Sequence, residues 1–260
     1  MKNLIIVSLF LSVLVYSCSA PTDTKNLPVK TENLDSLVKA YHEERLKLFP
    51  LEATAAGDNR YNDLFPNTIS LSYRNELKSF YNKTLEALKN YNRNALTEND
   101  QMNYDVLLWE CNIALEGNQF KSYLMPINQF SSLPLYVGQL ASGSSSQPFK
   151  TVKDYQNWLA RLNAYVDWCD TAISNMKIGK AQGYTIPKSL TLKAIPQFAD
   201  LAKGPVENHL FYSPIKNFPS DFNEDDKKNL AIAYKEIISN KIIPVHQKMA
   251  TFLQNEYLPA

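Results

Sequence analysis

Three histidines are the natural starting point for any chemistry, because imidazole is the commonest metal ligand in proteins and a frequent general base. His42 is followed by Glu43, as in the zinc-binding pattern His-Glu-x-x-His, but Leu46 stands where the second histidine belongs. His209 and His246 have no other histidine and no cysteine three or four positions away. The spacing therefore predicts no metal site and no cofactor site in this chain, and surface or capping roles for its histidines.

Carboxylates and serines offer no catalytic pattern either. Neighbouring acids such as Glu43 and Glu44 point about 100° apart on a helix, so they do not form a carboxylate pair by themselves. The serine run from Ser142 to Ser146 lacks the Gly-x-Ser-x-Gly turn of serine hydrolases and the strand that precedes it. The sequence also contains no glycine-rich phosphate-binding loop. We therefore predict no catalytic residue in this chain.

The N-terminus has the order of an export signal. Lys2 precedes an apolar run from Leu4 to Tyr16, which is too short to span a bilayer as a mature helix. Cys18 follows one serine later, and this resembles the bacterial lipobox, in which the cysteine is acylated and becomes the first mature residue. Tyr16 departs from the small or hydroxylic residue usual at its position. The alternative is an ordinary signal peptide cut near Ala20, with Cys18 discarded.

These signals divide the chain into three predicted segments. Residues 1–17 form the lipoprotein signal peptide, residues 18–32 a flexible polar tether, and residues 33–260 a helical domain. Lipid attached to Cys18 would make the membrane a partner, because several acyl chains hold a protein more firmly than one. We therefore expect an exported, membrane-anchored lipoprotein on the periplasmic side or at the cell surface.

Charge and cysteine content limit the other partners. The chain has 27 basic and 26 acidic residues, and it shows no basic run with interleaved aromatic residues, so we predict no binding to nucleic acid. Cys111 and Cys169 would remain after processing, each on the apolar face of a predicted helix. We expect them to be small buried residues, although an exported location permits a disulfide, and the sequence leaves open whether they pair.

Helical periodicity dominates the chain. With 45% hydrophobic residues, only 7 glycines and no sustained period-two alternation, the sequence favours an all-α fold. The longest pattern begins at a capping box formed by Thr151 and Asp154, and Gly179 and Gly183 mark its end. Its apolar stripe consists of Tyr155, Trp158, Leu159, Leu162, Tyr165, Val166, Cys169, Ile173 and Met176. We predict an irregular helical array organised around this helix.

Four further helices are predicted around it. They start near Asn33, Ser70, the Thr97 capping box and Glu224, and the third of them carries Met102, Val106, Trp109 and Ile113. In the last helix the apolar period continues through Pro244, so the sequence predicts a kink there rather than an end. Residues 119–150 form a long connection, which is the first place to expect the rim of a cleft, because long loops in compact domains tend to be functional.

Four short motifs occur in a characteristic order. They are Phe49 to Asp58, then Asp154-Tyr155 with Trp158-Leu159 and Arg161-Leu162, then Gly183 to Lys188, and finally Pro244 with Phe252-Leu253 and Glu256 to Pro259. Together they resemble the N-terminal half of the bacterial domain-of-unknown-function 885 family, over residues 33 to 260. Members of that family often carry an export signal.

The resemblance implies the N-terminal half of a larger, mostly helical fold related to zincin-type metallopeptidases, in exported proteins that hydrolyse peptides or similar amides. Family members carry a His-Glu-x-x-Pro-Gly-His-His motif in the C-terminal half, whose histidines would bind zinc and whose Glu would be the general base. This chain lacks that motif and ends at Ala260, in the family's mid-chain position. The resemblance therefore implies a truncated chain, zinc only in the missing C-terminal half, and no catalytic residue carried over.

Two functions from different classes remain open at this point. In the first, the chain is the cleft-wall half of a zinc-dependent peptidase, inactive alone, whose partners are a peptide substrate or the missing half. In the second, it is a free-standing helical lipoprotein that binds or interacts without catalysis.

Overall fold

The computed structural model describes residues 33–258, and this part of the chain is built from helices and turns without any strand. The all-α prediction is confirmed. The signal peptide 1–17, the lipid-attachment residue Cys18, the tether 18–32 and the last two residues of the predicted domain lie outside the described residues. Between residues 33 and 258 no helix combines the length and the hydropathy that crossing a bilayer requires.

Side-chain caps set most of the helix starts. The described residues form α1 (Leu34–Leu48), α2 (Pro50–Ala55), α3 (Leu71–Leu88), α4 (Glu98–Gly117), α5 (Leu133–Ala141), α6 (Val152–Ala181), α7 (Lys188–Asp200), α8 (Glu224–Ile237) and α9 (Ile243–Phe252). Asn33, Ser70, Thr97 and Asn223 each accept a backbone N–H at the start of a helix, which satisfies a donor that would otherwise lack a partner. Thr151 completes the predicted capping box of α6. The predicted starts of these helices are therefore confirmed.

Helix α6 lies at the centre of the larger of two hydrophobic clusters. Its 30 residues contact α8, α9 and the short 3₁₀ turn Ser122–Leu124. Trp158 and Tyr165 are fully buried, as the apolar stripe predicted. Trp168 is buried too and donates Nε1–H to the Thr68 hydroxyl at 3.1 Å. The buried face of α6 is thus wider than the predicted stripe.

The smaller cluster lies between α1, α3 and α4. Tyr41 of α1 stacks on Phe80 of α3, with ring centroids 4.9 Å apart, and Cys111 of α4 is fully buried beside them. Tyr73 donates its hydroxyl to the carbonyl of Leu48 at 2.7 Å. This cluster shares no core residue with the one around α6, and the chain from Pro50 to Leu64, which we call the α2 segment, connects the two.

Arg161 supplies the main polar contact between α6 and the α2 segment. Its side chain is fully buried, and its Nε donates to the Leu64 carbonyl at 3.1 Å. Its Nη1 donates to Gln147 Oε1 at 2.5 Å, while Nη2 faces the Pro50 carbonyl, the Thr54 hydroxyl and the Tyr61 carbonyl at 3.2, 2.8 and 3.1 Å. All five acceptors are neutral. Desolvation by burial therefore lowers the pKa of this guanidinium to about 10.

The end of α6 shows why two glycines stand there. The helix runs on to Ala181, so Gly179 lies inside it, where a Cβ would come within 2.8 Å of the carbonyl oxygens of Leu124 and Tyr184. Gly183 has φ +78°, a left-handed conformation that favours glycine, and it follows the helix as the C-terminal stop. One glycine thus permits a close approach, and the other ends the helix.

The last helix is continuous but not uniform. Helix α8 passes through a π-helical turn, Ile238–Ile242, into α9, and a second π-helical turn, Leu253–Tyr257, follows α9. In these wide turns the backbone N–H bonds the carbonyl five residues earlier, as Ile243 does with Ile238. Pro244 is the second residue after the first wide turn. The prediction that the helix continues through Pro244 is confirmed, and the irregularity lies in the turn just before it.

Helix α4 presents a second apolar face to solvent. It packs on α1 and α3 through Leu107 and Cys111, which are buried. The four apolar residues that the sequence analysis placed on this helix lie on the opposite side and are 58%, 57%, 65% and 45% exposed; they are Met102, Val106, Trp109 and Ile113. We call these four residues the α4 stripe.

Both cysteines of the described region are buried free thiols. Cys111 belongs to the smaller cluster and Cys169 to the larger one. Burial raises the pKa of Cys111 to about 11 and that of Cys169 to about 12, which keeps both thiols protonated at neutral pH. The prediction of small buried residues is confirmed, and the two do not form a disulfide.

Candidate functional site

His209 has the capping role that the sequence predicted. Its Nδ1 accepts the backbone N–H of Phe211 at 3.2 Å, and its Nε2 donates to the carbonyl of Leu201 at 2.8 Å. These two bonds fix the neutral tautomer that carries its proton on Nε2. Burial lowers the pKa of His209, so the neutral form is favoured. His42 is exposed on α1, as a surface histidine should be.

His246 contradicts the prediction of a surface histidine. Its imidazole is fully buried in α9, with Nε2 3.0 Å from the hydroxyl of Tyr165. The rings of Phe198 and Phe211 lie around it, with centroids 6.1 and 5.8 Å from the imidazole. Burial, reinforced by the proximity of His209, lowers the pKa of His246 to about 4. A polar residue can occupy the apolar face of α9 because the Tyr165 hydroxyl forms a hydrogen bond with one nitrogen of the His246 imidazole.

The described residues do not fit a catalytic zinc ion. Such a site needs about three protein ligands. Between residues 33 and 258 no three side chains of His, Cys, Asp or Glu come together as a metal would require. His209 and His246 are already engaged in the core, and His42 lies apart from them on α1.

A groove of 790 Å³ opens between α5, the serine-rich turn that follows it and the end of α7. Its lining consists of Phe130, Pro134, Leu135, Gly138, Gln139, Ser142, Ser144, Ser145, Gln197, Asp200, Leu201 and Leu210. This volume lies within the range of roughly 300 to 1,000 Å³ that is usual for ligand sites. We call it the α5 groove. Most of its lining belongs to the 119–150 connection, where the sequence predicted the rim of a cleft.

A tight turn places an aromatic side chain at the mouth of the groove. Asn128 Oδ1 accepts the backbone N–H groups of Phe130 and Ser131, both at 2.8 Å. Gln197 of α7 donates its side-chain amide to the carbonyl of Gln129 at 3.1 Å and ties the turn to the opposite wall. The backbone is therefore held at both ends, while the Phe130 side chain remains 84% exposed.

The serine-rich turn forms one side of the groove through its own hydrogen bonds. Ser142 Oγ donates to the Gln139 carbonyl at 2.7 Å and accepts the backbone N–H of Ser144 at 3.2 Å. Gly143 has φ +77° and packs against Pro214, which turns the chain back over α5. The hydroxyls of Ser144 and Ser145 are left at the surface.

The opposite wall comes from the end of α7 and the segment after it. Leu210 lies beside Gly138 of α5, where a Cβ at position 138 would be in ordinary van der Waals contact with Leu210 Cδ2, at 3.5 Å. Behind this wall, the two hydrogen bonds of His209 join the Leu201 carbonyl to the Phe211 backbone. The wall is therefore fixed by a buried imidazole.

The lining of the groove suits binding rather than proton transfer. Phe130, Leu135 and Leu210 offer apolar surface, and the serine hydroxyls and glutamine amides offer hydrogen bonds. Asp200 is the one ionisable residue in the lining, and its carboxylate is paired with Lys203 at 3.3 Å. Such a mixture fits a ligand that alternates apolar side chains with amide groups. An extended peptide has this chemistry.

Sequence reasoning found the rim of the groove but not its walls. It treated residues 119–150 as one irregular connection and so missed α5, although Pro134 occupies the first turn of that helix, where proline is favoured. The proline-rich segment 203–222 contains two 3₁₀ turns, Val206–Asn208 and Leu210–Lys216. Leu210 therefore comes within reach of α5, and no local pattern indicated that contact.

Comparison with known proteins identifies a family and a related fold. Residues 50–260 match the profile of the family described as bacterial protein of unknown function (DUF885). No curated protein matches the chain. Among solved structures, the chain is similar to the crystal structure of "the putative lipoprotein from Colwellia psychrerythraea", with a TM-score of 0.66 and 16% sequence identity. At this identity the likeness shows the fold alone.

The lengths of the two proteins differ strongly. The match to the Colwellia psychrerythraea structure covers 85% of this chain but only 41% of that one. The chain therefore spans less than half the length of the protein whose fold it shares.

Proposed function

Because the chain belongs to the DUF885 family of bacterial proteins of unknown function, we propose that it is an exported lipoprotein whose α5 groove binds extended peptides. It forms the wall of a cleft in a peptidase-like protein, and hydrolysis would require zinc ligands from residues outside this chain. The observation that carries the proposal is the groove itself, which combines apolar and hydrogen-bonding surface with a single ionisable residue, Asp200.

Two observations support a membrane anchor: the position of Cys18 and the description of a structurally similar protein. Only Ser17 separates the apolar run from Cys18, and a solved structure with a related fold is described as a "putative lipoprotein". Acyl chains on Cys18 would hold the protein at the membrane, since each buried methylene contributes about 0.8 kcal/mol. The polar segment that follows would act as the tether.

Replacing Cys18 by Ser tests the anchor. We expect the wild-type protein to partition into the detergent phase of a cloud-point separation and the Cys18→Ser protein to appear in the aqueous phase or to keep its signal peptide. Mass spectrometry of the mature N-terminus distinguishes these two results. Equal recovery of both mature proteins from the aqueous phase would contradict a lipid anchor.

The groove is tested by replacing Phe130 with Ala. A bound peptide would cover the apolar ring of Phe130, which lines the groove, so we expect binding of a mixed, apolar-rich peptide pool to weaken about tenfold. The fold should be unaffected, because Phe130 is 84% exposed. Phe120, which is 65% exposed and lies outside the groove, provides the matched control variant Phe120→Ala. Fluorescence anisotropy of labelled peptides measures both.

Equal affinities of the Phe130→Ala and Phe120→Ala proteins would reject the groove as the peptide site.

The same samples, dialysed and analysed for metal, show whether this chain alone binds zinc and cleaves peptides. Stoichiometric zinc with chelator-sensitive cleavage in the purified chain would reject the assignment of hydrolysis to residues outside it. Peptide binding without cleavage fits a cleft wall and also a free-standing binding lipoprotein, and a zinc-binding partner chain that restores cleavage would favour the former.

A further inference from the structure

Helix α4 carries an exposed apolar seam with the spacing of a helix-pairing surface. The four residues of the α4 stripe follow one another at steps of four, three and four, which is the repeat of a coiled-coil seam. They lie within roughly 60° of one another around the helix and extend along about 16 Å of it. Trp109 is the most exposed of the four, at 65%. A partner helix could bury the whole seam along about three turns.

The two ends of this seam are acidic. Glu98 lies four residues before Met102, and Glu116 lies three residues after Ile113, so both continue the seam. They are 18 residues, or about five turns, apart and therefore point in the same direction, about 27 Å from each other. Neither belongs to an ion pair within residues 33–258.

The rest of α4 adds negative charge and no positive charge. The helix carries five acidic residues and neither Lys nor Arg. Two of these acids are matched by neighbours, since Asp105 pairs with Arg93 at 2.6 Å and Glu110 with Arg45 at 3.2 Å. Of the other three, Asp100 bonds the capping Thr97 on the far side of the helix, and Glu98 and Glu116 lie at the ends of the seam, where a partner would meet them.

This charge pattern argues against a second copy of the chain. In an antiparallel pair centred on the seam, Met102 would face Ile113 of the other copy, and Glu98 would lie beside its Glu116. In a parallel pair each glutamate would face its own counterpart. Like charges in these positions destabilise a helix pair, and an anionic lipid surface would be repelled for the same reason.

We propose that the α4 stripe docks a basic amphipathic helix of a partner protein. The partner carries an apolar seam of about three turns with Lys or Arg at each end, spaced to meet Glu98 and Glu116. The apolar seam provides the affinity, and the charges at its ends select the partner and its register.

The test uses a 22-residue synthetic helix with four leucines at the spacing of the stripe and lysines 18 residues apart at its ends. Trp109 is the reporter, because Trp158 and Trp168 are buried and Trp109 alone of the three tryptophans is exposed. We expect a blue shift of its emission and protection from iodide quenching on binding. Binding should weaken as salt is raised.

Two variants make the test specific. Val106→Glu places a charge in the seam and should weaken binding at least tenfold, whereas Ile232→Glu, at a comparably exposed position on α8, should leave it unchanged. Glu98→Lys with Glu116→Lys should weaken binding of the lysine-ended helix about tenfold and create binding of a glutamate-ended one.

Three results would overturn the proposal. The first is equal binding of lysine-ended and glutamate-ended helices by the wild-type chain. The second is a dimer in sedimentation equilibrium that Val106→Glu dissociates, which would make a second copy the occupant. The third is binding to anionic vesicles, by protein lacking the lipid, that Val106→Glu abolishes, which would make the stripe a membrane contact.

Discussion

Replacing Arg161 by Met should lower the free energy of unfolding by about 4 kcal/mol. The buried guanidinium donates to five acceptors, three of them backbone carbonyls of the segment from Pro50 to Leu64. Methionine fills similar space but donates no hydrogen bond, and each buried acceptor left without a partner costs about 1 to 3 kcal/mol. The substitution also removes a buried positive charge that has no carboxylate partner, and this gain offsets part of the loss. Urea denaturation followed by circular dichroism measures the difference.

Arg60 provides the matched control for this substitution. It belongs to the same region, but its guanidinium is 53% exposed and pairs with Asp58 and Glu43 at the surface. Exposed ion pairs are screened by solvent and contribute little to stability, so Arg60→Met should cost far less than Arg161→Met. If Arg161→Met and Arg60→Met destabilise the protein equally, Arg161 does not hold the α2 segment to α6 as described.

Acidification from pH 7 to pH 4 should remove about 3 kcal/mol of stability through His246 alone. Burial lowers the pKa of this imidazole to about 4 in the folded protein, against about 6.5 in the unfolded chain. Between pH 6.5 and pH 4 the imidazole is protonated in the unfolded chain but neutral in the folded one. Lowering the pH through this range therefore favours unfolding. The groups around the ring are the Tyr165 hydroxyl, the Phe198 and Phe211 rings and His209. None of them is a carboxylate that could offset the added charge.

Two variants separate His246 from the carboxylates that also titrate in this range. His246→Gln removes the imidazole, so the fall in stability between pH 7 and pH 4 should shrink by about 3 kcal/mol relative to wild type. His42→Gln removes an exposed imidazole and should leave the fall unchanged. Unfolding midpoints in urea at several pH values give the slopes. An identical slope for wild type and His246→Gln would show that His246 does not carry this pH dependence.

Features that depend on neighbouring residues, such as helix starts and buried faces, could be predicted from the sequence. Helix starts depend on a cap and the residues just after it, and the predicted caps Thr97 and Thr151 bond as expected. The periodicity of α6 predicted its central place, because a stripe of large aromatic residues needs partners on several sides. The family resemblance is confirmed for residues 50–260, within the range over which the motifs were found.

Features that depend on distant residues could not be predicted. Arg161 is polar and looks like a surface residue, until acceptors from Pro50 to Leu64 and from Gln147 surround it. Helix α4 has apolar residues on two faces, and only the positions of α1 and α3 decide that Cys111 is buried while Trp109 is exposed. The groove walls likewise depend on Leu210 reaching α5.

The wide turns of the last helix have a consequence for its relatives. On a uniform helix, the residues buried before Ile238 and those buried after Ile242 would fall roughly a quarter turn apart. The π-helical turn has more residues per turn and therefore rotates less per residue. This compensates for the angle, so both sets of residues face the same core. Each wide turn thus acts as the insertion of one residue. A relative with an ordinary turn here would align only with a one-residue gap inside the helix, and without that gap the core positions beyond Ile242 would be compared one residue out of register.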